Sequence, residues 1–294
     1  MDLITVGDLM LDIRADSGAL AHGGDVHGRV VVQPGGSSAN AAVWAAWDGA
    51  TSRVLGRVGA DPVGRILTDA LSSRGVEAVP VVDPEVPTGT MLVVVQGGER
   101  SMVADRGANA RLAPEDLPDR LETGAVLVSG YLLLQDGTNP TGLAALERAR
   151  ARLVAVDAAS WPLVEAFGVP RFFEETAAAD VIFVNEREAW TLTGQEGSAA
   201  ARALGERYAV AAVKLGARGA LLVVDGELCA GEPEAVLEVD PTGAGDAFDG
   251  VLLSGLARGH DPRVALARAG HAGALVAAGE SAWPSEGSSR EGSP

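Results

Sequence analysis

The chain has 294 residues, of which 47 % are apolar and 21 % are charged. That length and composition allow one large globular domain or two modest ones, and they exclude a disordered or fibrous protein. The 40 acidic against 23 basic residues give a net charge of −17. A surface this acidic repels phosphate backbones and anionic lipids, so neither nucleic acid nor membrane is an expected partner.

The cysteine content and the first residues predict a cytoplasmic protein. Cys229 is the single cysteine, which excludes an intrachain disulfide and a multi-thiolate metal site. The chain starts Met1-Asp2, with an acid where a signal peptide carries basic residues.

Short apolar runs alternate with Ala- and Leu-rich stretches of helical spacing. The runs predicted as buried strands are Leu3 to Val6, Arg53 to Val58, Ala125 to Val128, Leu153 to Val156, Val181 to Val184 and Val210 to Lys214. Strand and helix in alternation favour an α/β fold with a mostly parallel sheet. Ligands in such folds bind beyond the carboxyl ends of the strands.

Two stretches interrupt this alternation. The residues from about Ile13 to Val32 show no helical period. Farther on, Met91 to Val95 and Ser101 to Ala104 read as two strands around a Gly97-Gly98 turn. Because neither stretch is long enough for an independent domain, we predict a small β lid over a cleft.

The predicted organisation has three parts. It comprises an α/β core of residues 1–12, 33–89 and 106–284, a β lid of residues 13–32 and 90–105, and a tail of residues 285–294. The tail is rich in Ser, Gly, Glu and Pro, which predicts disorder.

The segment from Asp240 to Asp246, Asp-Pro-Thr-Gly-Ala-Gly-Asp, indicates the clearest chemistry. Its glycines allow close approach of a ligand to backbone N–H groups, and the helix that follows favours negative charge at its start. A phosphoryl group in transfer needs such a field. Asp246 is a candidate base for an attacking hydroxyl, although a helix cap is an equal alternative on local chemistry. The segment is not a P-loop.

A second glycine-rich segment runs from Gly35-Gly36 to Asn40. The amide of Asn40 offers a donor and an acceptor, which suits a polyol. A tight turn with a helix cap is the alternative.

Two further segments follow predicted strands. Asn185 and Glu188 are candidates for holding a hydrated Mg²⁺, with an ordinary solvated first helical turn as the alternative. The Gly-spaced turn from Lys214 to Gly219 is weaker and fits a hairpin.

These segments occur in the order and near the spacing seen in the ribokinase family of carbohydrate kinases, of the PfkB type. The resemblance covers Ile4 to about Ser285. The Gly35-Gly36 segment, continued through Gly56-Arg-Val-Gly-Ala-Asp61 to Gly64, resembles the first family signature. The segment from Asp240 to Asp246 resembles the second. Arg106 to Asn109 and Lys214 to Gly219 are weaker matches.

The resemblance implies a three-layer α/β/α sandwich with a small β-sheet lid. It also implies ATP-dependent phosphorylation of a hydroxyl group of a sugar or sugar acid, with Mg²⁺. By matching position, the resemblance implies that Asp246 is the base and that the backbone of Gly243, Ala244 and Gly245 forms the anion hole. It implies substrate contacts at Asp12, Gly35, Gly36 and Asn40. It also implies that Asn185 and Glu188 place Mg²⁺ and phosphate, and that the nucleotide site includes Lys214, Gly216 and Thr242.

Many family members also use a monovalent cation such as K⁺ beside the anion hole. The side chain of Asp240 and the backbone of Thr242 match two of its ligands. The remaining ligands are expected in the loop from Gly279 to Ser285, whose sequence departs from the family pattern. Arg106 is a candidate contact for an acidic substrate, with a structural role in the lid as its alternative.

Sugar phosphates stay open as a further substrate class, and three alternatives to a sugar kinase stay open as well. A nucleoside kinase of the same fold is the first, although the lid offers a purine little besides Val, Leu and Met. A catalytically silent sugar- or nucleotide-binding regulator is the second, and the intact Asp246 and Gly243 to Gly245 turn speak against it. A nicotinamide-dependent oxidoreductase is the third, and glycines 56, 59 and 64 have the wrong spacing for it. Pairing of exposed lid sheets in proteins of this type predicts a homodimer.

Overall fold

The computed structural model describes residues 1–17, 23–96 and 99–285. Its strands, numbered in chain order, are β1 (Leu3–Val6), β2 (Met10–Ser17), β3 (Arg29–Gly35), β4 (Ser52–Leu55), β5 (Arg57–Gly59), β6 (Val76–Ala78), β7 (Val81–Asp83), β8 (Gly89–Gln96), β9 (Glu99–Asp105), β10 (Leu121–Ser129), β11 (Ala149–Asp157), β12 (Val181–Asn185), β13 (Val210–Lys214), β14 (Ala220–Val224) and β15 (Glu227–Gly231). Its helices are α1 (Ser37–Trp47), α2 (Pro62–Ser73), α3 (Gly130–Leu133), α4 (Asn139–Arg148), α5 (Trp161–Phe167), α6 (Val169–Glu175), α7 (Glu186–Thr193), α8 (Gly197–Gly205), α9 (Ala244–Ala257) and α10 (Pro262–Ala278).

The large sheet has the order β15-β14-β13-β12-β11-β10-β1-β4-β6 within the described residues. The strands from β13 to β6 pair in parallel, and β14 and β15 add an antiparallel edge. Central strands such as β1 and β12 are apolar along nearly their whole length, as expected for strands covered by helices on both faces. The predicted mostly parallel α/β sheet is therefore confirmed.

Two apolar cores lie on opposite faces of this sheet. Alternate residues of β10 belong to different cores, Val126 and Val128 to one and Ala125 and Leu127 to the other, because successive side chains of a strand point to opposite faces. One core also contains buried residues of α3 to α8, and the other contains those of α1, α9 and α10. Helices on both faces of one sheet give the predicted three-layer sandwich.

Helices α1 and α9 pack with their backbones very close together. A Cβ atom added to Gly250 of α9 would lie 2.1 Å from the carbonyl oxygen of Ala41 in α1. A glycine is therefore required at this contact. It allows the first turns of α1 and α9 to lie side by side at the cleft.

In the part of the chain that the structure describes, the small sheet has four strands in the order β3-β2-β8-β9, which confirms the predicted second β-sheet. It extends beyond the predicted lid bounds, since β2 begins at Met10 and β3 ends at Gly35. The predicted Gly97-Gly98 turn and the tail residues after Ser285 lie outside the described residues.

One predicted strand is wrong. Arg53 to Val58 was expected to form a single strand, but β4 ends at Leu55 in the large sheet and β5 begins at Arg57 in a two-stranded sheet with β7. The backbone turns at Gly56, where an added Cβ would lie 2.7 Å from the carbonyl oxygen of Gly7. The close approach of two backbone segments ends the strand.

Within the described ranges, no helix is both long and apolar enough to span a bilayer.

Candidate active site

Five neighbouring parallel strands place polar residues along one edge of the large sheet. Ser129, Asp157, Asn185 and Lys214 are the last residues of β10 to β13, and Asp8 follows β1 by two positions. Register pairs Ser129 with Asp157, and Asn185 with Lys214. The carboxyl edge of the sheet, where ligands of such folds bind, therefore carries the candidate site.

Asp246 lies in the first turn of α9 at this edge. The amide nitrogen of Asn40 donates a hydrogen bond to Asp246 Oδ2 over 2.8 Å. In turn, the indole nitrogen of Trp283 donates to Asn40 Oδ1 over 2.8 Å. Trp283 thus fixes the Asn40 amide with its nitrogen toward Asp246.

Burial raises the pKa of Asp246 from 3.8 to about 7. The hydrogen bond from Asn40 and the charge of Lys214 lower it, whereas the negative charges of Asp157 and Asp12 raise it. A carboxyl group with a pKa near 7 is well suited to accept a proton at neutral pH.

The turn before α9 has the backbone shape expected of an anion site. Gly243 has φ 85° and precedes the first helical residue. An added Cβ there would lie 2.8 Å from Cβ of Ala282, so the loop of Ala282 packs on the turn. The N–H of Ala244 donates to the carbonyl oxygen of Pro241 over 3.1 Å. The next N–H groups belong to the first turn, where helices offer no internal partner.

Asp12 and Gly35 lie on the paired strands β2 and β3 of the small sheet, and Gly36 directly follows β3. A Cβ added to Gly35 would lie 2.2 Å from Asp12 Oδ2, so only glycine leaves room for this carboxyl. Gly36 has φ 98° and caps α1, the helix of Asn40. Burial, with a smaller effect of Asp240, raises the pKa of Asp12 to about 7.

Arg106 binds a buried carboxylate. Its Nη2 and Nε atoms donate to the two oxygens of Asp8 over 2.7 and 3.1 Å, and Asp8 is 5 % exposed. This bidentate pair is the arrangement in which arginine binds carboxylates most firmly. The predicted substrate contact therefore has its strongest bonds within the protein.

Lys214 lies among three carboxyl groups. Its Nζ is 2.8 Å from Asp249 Oδ2 and 3.3 Å from Asp157 Oδ1. Burial alone would lower the pKa of Lys214, but the charges of Asp157, Asp249 and Glu188 raise it above its ordinary value. A Cβ added to Gly245 would lie 3.4 Å from this nitrogen. A stable ammonium group thus lies against the glycine turn.

A cavity of about 250 Å³ adjoins the same turn. It is lined by Lys214 and Gly216 of the β13–β14 hairpin, Gly245 and Phe248 of α9, small residues of α10, and the acidic segment from Glu232 to Glu238. Thr242 is adjacent in sequence to its lining residue Pro241. Its mainly apolar wall with one ammonium group suits a flat base joined to phosphates.

Asn185 and Glu188 form a reciprocal cap on α7. Asn185 Oδ1 accepts the N–H of Glu188 over 3.0 Å, and Glu188 Oε2 accepts the N–H of Asn185 over 2.8 Å. Glu188 is not solvated, being 2 % exposed. Burial and the charge of Asp157 raise the pKa of Glu188 to about 7.

No group of three or more acidic, histidine or cysteine side chains in the described ranges has the geometry to enclose a metal ion. The carboxyls of Asp157, Glu188 and Asp249 nevertheless outnumber the single charge of Lys214. An excess of acidic oxygens fits a magnesium ion that keeps its water ligands.

Asp240 is paired with a residue of the small sheet. Its carboxylate contacts the guanidinium of Arg14 in β2, and its Oδ1 accepts the N–H of Thr242 over 3.0 Å. The structure therefore places a positive side chain beside the predicted cation ligand.

Several residues of the site were missed by the motif search. They are Asp8, Arg14, Asp157, Asp249 and Trp283. Two of them carried a signal. Asp157 ends an apolar run that was predicted as a strand, and Asp249 lies three residues after Asp246 on the same helix face. Arg14 lies two residues after Asp12, and Trp283 lies in the loop from Gly279 to Ser285, but neither matches a motif.

The chain is similar to known proteins over nearly its full length. The model of the pfkB family of carbohydrate kinases matches residues 1–286. A 2-dehydro-3-deoxygluconokinase of Thermoproteus tenax is 33 % identical over 256 residues, which are 82 % of this chain and 78 % of that protein.

Two solved structures have the same fold. The adenosine kinase from Sinorhizobium meliloti has a TM-score of 0.85 at 26 % identity, covering 96 % of this chain and 95 % of that one. The fructokinase from Vibrio cholerae O395, with fructose, ADP and calcium bound, has a TM-score of 0.79 at 26 % identity, covering 95 % and 94 %. With a family match over nearly its full length, the chain belongs to the pfkB family of carbohydrate kinases.

Proposed function

We propose that the protein transfers the γ-phosphoryl group of ATP to a hydroxyl group of a sugar or sugar acid, with Asp246 as the general base. The observation that carries the proposal is the Asn40–Asp246 pair at the start of α9. It combines a carboxyl group of raised pKa, a helix N-terminus and an adjoining cavity in one place.

The substrate would bind between the lid and the large sheet. Asp12 and the Asn40 amide offer acceptors and a donor for hydroxyl groups. Gly35 and Gly36 leave room beside them. The resemblance to 2-dehydro-3-deoxygluconokinase and fructokinase supports a sugar or sugar acid, while leaving the individual compound open.

The nucleotide would occupy the cavity beside Lys214 and Gly216, with its γ-phosphate at the turn from Gly243 to Gly245. The ADP of the fructokinase structure supports a nucleotide in this fold. Magnesium bound to the phosphates would offset their charge, held through water near Asn185 and Glu188.

In the reaction, Asp246 accepts the proton of the attacking hydroxyl. The hydroxyl oxygen forms a bond to the γ-phosphorus while the bond from that phosphorus to the β,γ-bridging oxygen breaks. ADP leaves with the electron pair, and the products are a phosphate monoester, ADP and one proton. Backbone N–H groups of the turn and the Lys214 ammonium stabilise the negative charge on the group in transfer.

The organisation of the molecule belongs to the proposal as well. We propose that the four-stranded sheet acts as the lid, on the α/β core predicted from the sequence, and that two copies pair through it. Exposed apolar side chains on that sheet support the pairing. An ATP-dependent reaction and a single cysteine support a cytoplasmic location.

The test is ADP release from MgATP with a panel of pentoses, hexoses, ketoses, sugar acids, polyols and nucleosides. We expect turnover on a sugar or sugar acid, and a loss of about 10²–10⁴ in kcat in Asp246→Asn. The matched control is Asp69→Asn, the same change at an exposed carboxylate of α2, which should keep full activity.

The outcomes separate the alternatives. A loss below about tenfold in Asp246→Asn would remove the general-base role. Turnover confined to nucleosides would show that the phosphoryl acceptor is a nucleoside and not a sugar or sugar acid. Tight MgATP binding without turnover on any compound would favour a regulator.

A further inference from the structure

The carboxylate of Asp240 needs a positive partner. It is 7 % exposed, and its charge contributes to the raised pKa of Asp12, so two carboxyl groups lie near each other in a poorly solvated place. A buried carboxylate without a counter-charge is strongly destabilising. In the family, a monovalent cation is the expected counter-charge at the matching position.

In this chain Arg14 supplies a positive charge to Asp240. The side chain of Arg14 is 16 % exposed, and its Nη1 contacts Asp240 Oδ2. Arg14 and Asp12 are two residues apart on β2, so both point to the same face of the lid sheet. An arginine is protonated at every physiological pH and needs no dissolved ion.

Other oxygens around the expected cation site also bind protein donors. In the loop from Gly279 to Ser285, the carbonyl of Ala282 accepts the indole N–H of Trp44 over 2.8 Å, and that of Pro284 accepts from Arg74. The carbonyl of Ala277, just before this loop, accepts the N–H groups of Val239 and Asp240 over 2.7 and 3.1 Å. A monovalent cation binds when such carbonyls replace its water, so a cation here would compete with these protein donors for the same oxygens.

We infer that Arg14 takes the place of the monovalent cation, and that the protein works without one. The inference rests on the proposed kinase function. Arg14 is a positioning residue that acts through Asp240. Because Asp240 Oδ1 holds the N–H of Thr242, neutralising Asp240 keeps the turn that leads to Gly243 in place.

The contact also joins two parts of the molecule. Arg14 belongs to the lid sheet, whereas Asp240 immediately precedes the anion turn. The positive charge therefore reaches the turn only when the lid strand lies over the cleft. A dissolved cation would act without regard to the lid.

The test compares kcat in K⁺ and in tetramethylammonium at equal ionic strength. We expect wild-type rates to agree within about twofold, because the guanidinium supplies the charge in both salts. Arg14→Met should lose at least about tenfold in tetramethylammonium and regain most of it in K⁺, since the ion can then serve Asp240. Arg29→Met is the control, because Arg29 is an exposed lid arginine paired with Glu280 of the same loop; its rate should be unchanged in both salts.

Thermal unfolding without substrates gives a second readout. The wild-type Tm should not differ between the two salts, whereas the Tm of Arg14→Met should rise in K⁺. A several-fold K⁺ stimulation of wild type, or a loss in Arg14→Met that K⁺ does not rescue, would overturn the inference. If wild type turns over nothing in either salt, the proposed function fails, and the Tm comparison still decides the role of Arg14.

Discussion

The carboxyl group of Asp246 is stabilised in its neutral form by its surroundings. Burial first, and then the charge of Asp157, raise its pKa to about 7, against 3.8 ordinarily. Below about pH 4 the group is protonated in both folded and unfolded chains, and between about pH 4 and 7 only the unfolded chain gains from ionisation. Asp246 therefore lowers the stability of the fold as pH rises through this window.

This predicts that Asp246→Asn stabilises the protein at about pH 8 and has little effect at about pH 4. A pKa displaced from 3.8 to about 7 corresponds to at most about 4 kcal/mol, and we expect about half of that because part of the side chain faces the cleft. Urea unfolding of wild type and Asp246→Asn at both pH values measures this difference in the free energy of unfolding. An equal effect at both would show that the pKa of Asp246 is not raised.

At the residue scale, the sequence predicts candidate site residues only where they lie in a short motif. Gly243 to Asp246 and Asn40 were predicted from motifs, and the structure joins Asn40 to Asp246. Their contact could not be read locally, because the two residues are 206 positions apart. Arg14, Asp8 and Trp283 lie outside the motifs used to find the site, and their partners are set by how the lid and the last loop fold back.

The contact between α1 and α9 holds Asn40 and Asp246 in register. Gly250 lies one helical turn beyond Asp246, and its place against Ala41 leaves no room for a methyl group. Gly250→Ala should push the two helices apart and lower the free energy of unfolding by about 1–3 kcal/mol, the usual cost of overpacking. Since Asn40 and Ala41 are neighbours in α1, kcat should fall as well.

Unfolding measurements with a matched glycine check this prediction. A Cβ added to Gly270 in α10 meets nothing within 4 Å, so Gly270→Ala should be neutral or raise stability by up to about 1 kcal/mol. If Gly250→Ala behaves like Gly270→Ala, the close packing of the two helices is not required.

Elements were well predicted where apolar runs were continuous and poorly where two backbones meet. The runs of β1, β12 and β13 matched their strands, because burial on both faces leaves a strong sequence signal. The sequence did not predict the division between β4 and β5, because Gly56 looks like an ordinary glycine in its local sequence. The backbone that it approaches closely is that of Gly7, in a distant segment of the chain.

At the scale of the whole molecule, the lid sheet has two unlike faces. Asp12 and Arg14 point toward the site, so Ile13 between them points the other way. Register places Val32, Ile13, Leu92 and Val103 in one row across all four strands. Val32, Leu92 and Val103 are 56, 40 and 65 % exposed. A row of exposed apolar side chains across a sheet is typical of a surface that another protein covers.

We expect this row to pair with its copy in a homodimer. The double substitution Val32→Lys and Val103→Lys would place unpaired charges in that interface. This would weaken the free energy of dimer formation by several kcal/mol, which is enough to raise the dissociation constant more than about a hundredfold. Light scattering coupled to size exclusion should then give the monomer mass for the double variant and the dimer mass for wild type.

The control is Ile66→Lys, at a 54 % exposed apolar position of α2 outside the lid, which should remain dimeric. A dimer in the double variant would show that the lid row is not the interface, and a monomeric wild type would show that no pairing occurs.

Because Asp12 and Arg14 lie on the opposite face of the same strand, a monomeric variant that folds also separates pairing from catalysis. If it keeps its kcat, the lid closes the site without a second copy. If kcat falls while MgATP still binds, the second copy holds the lid strand that carries both residues.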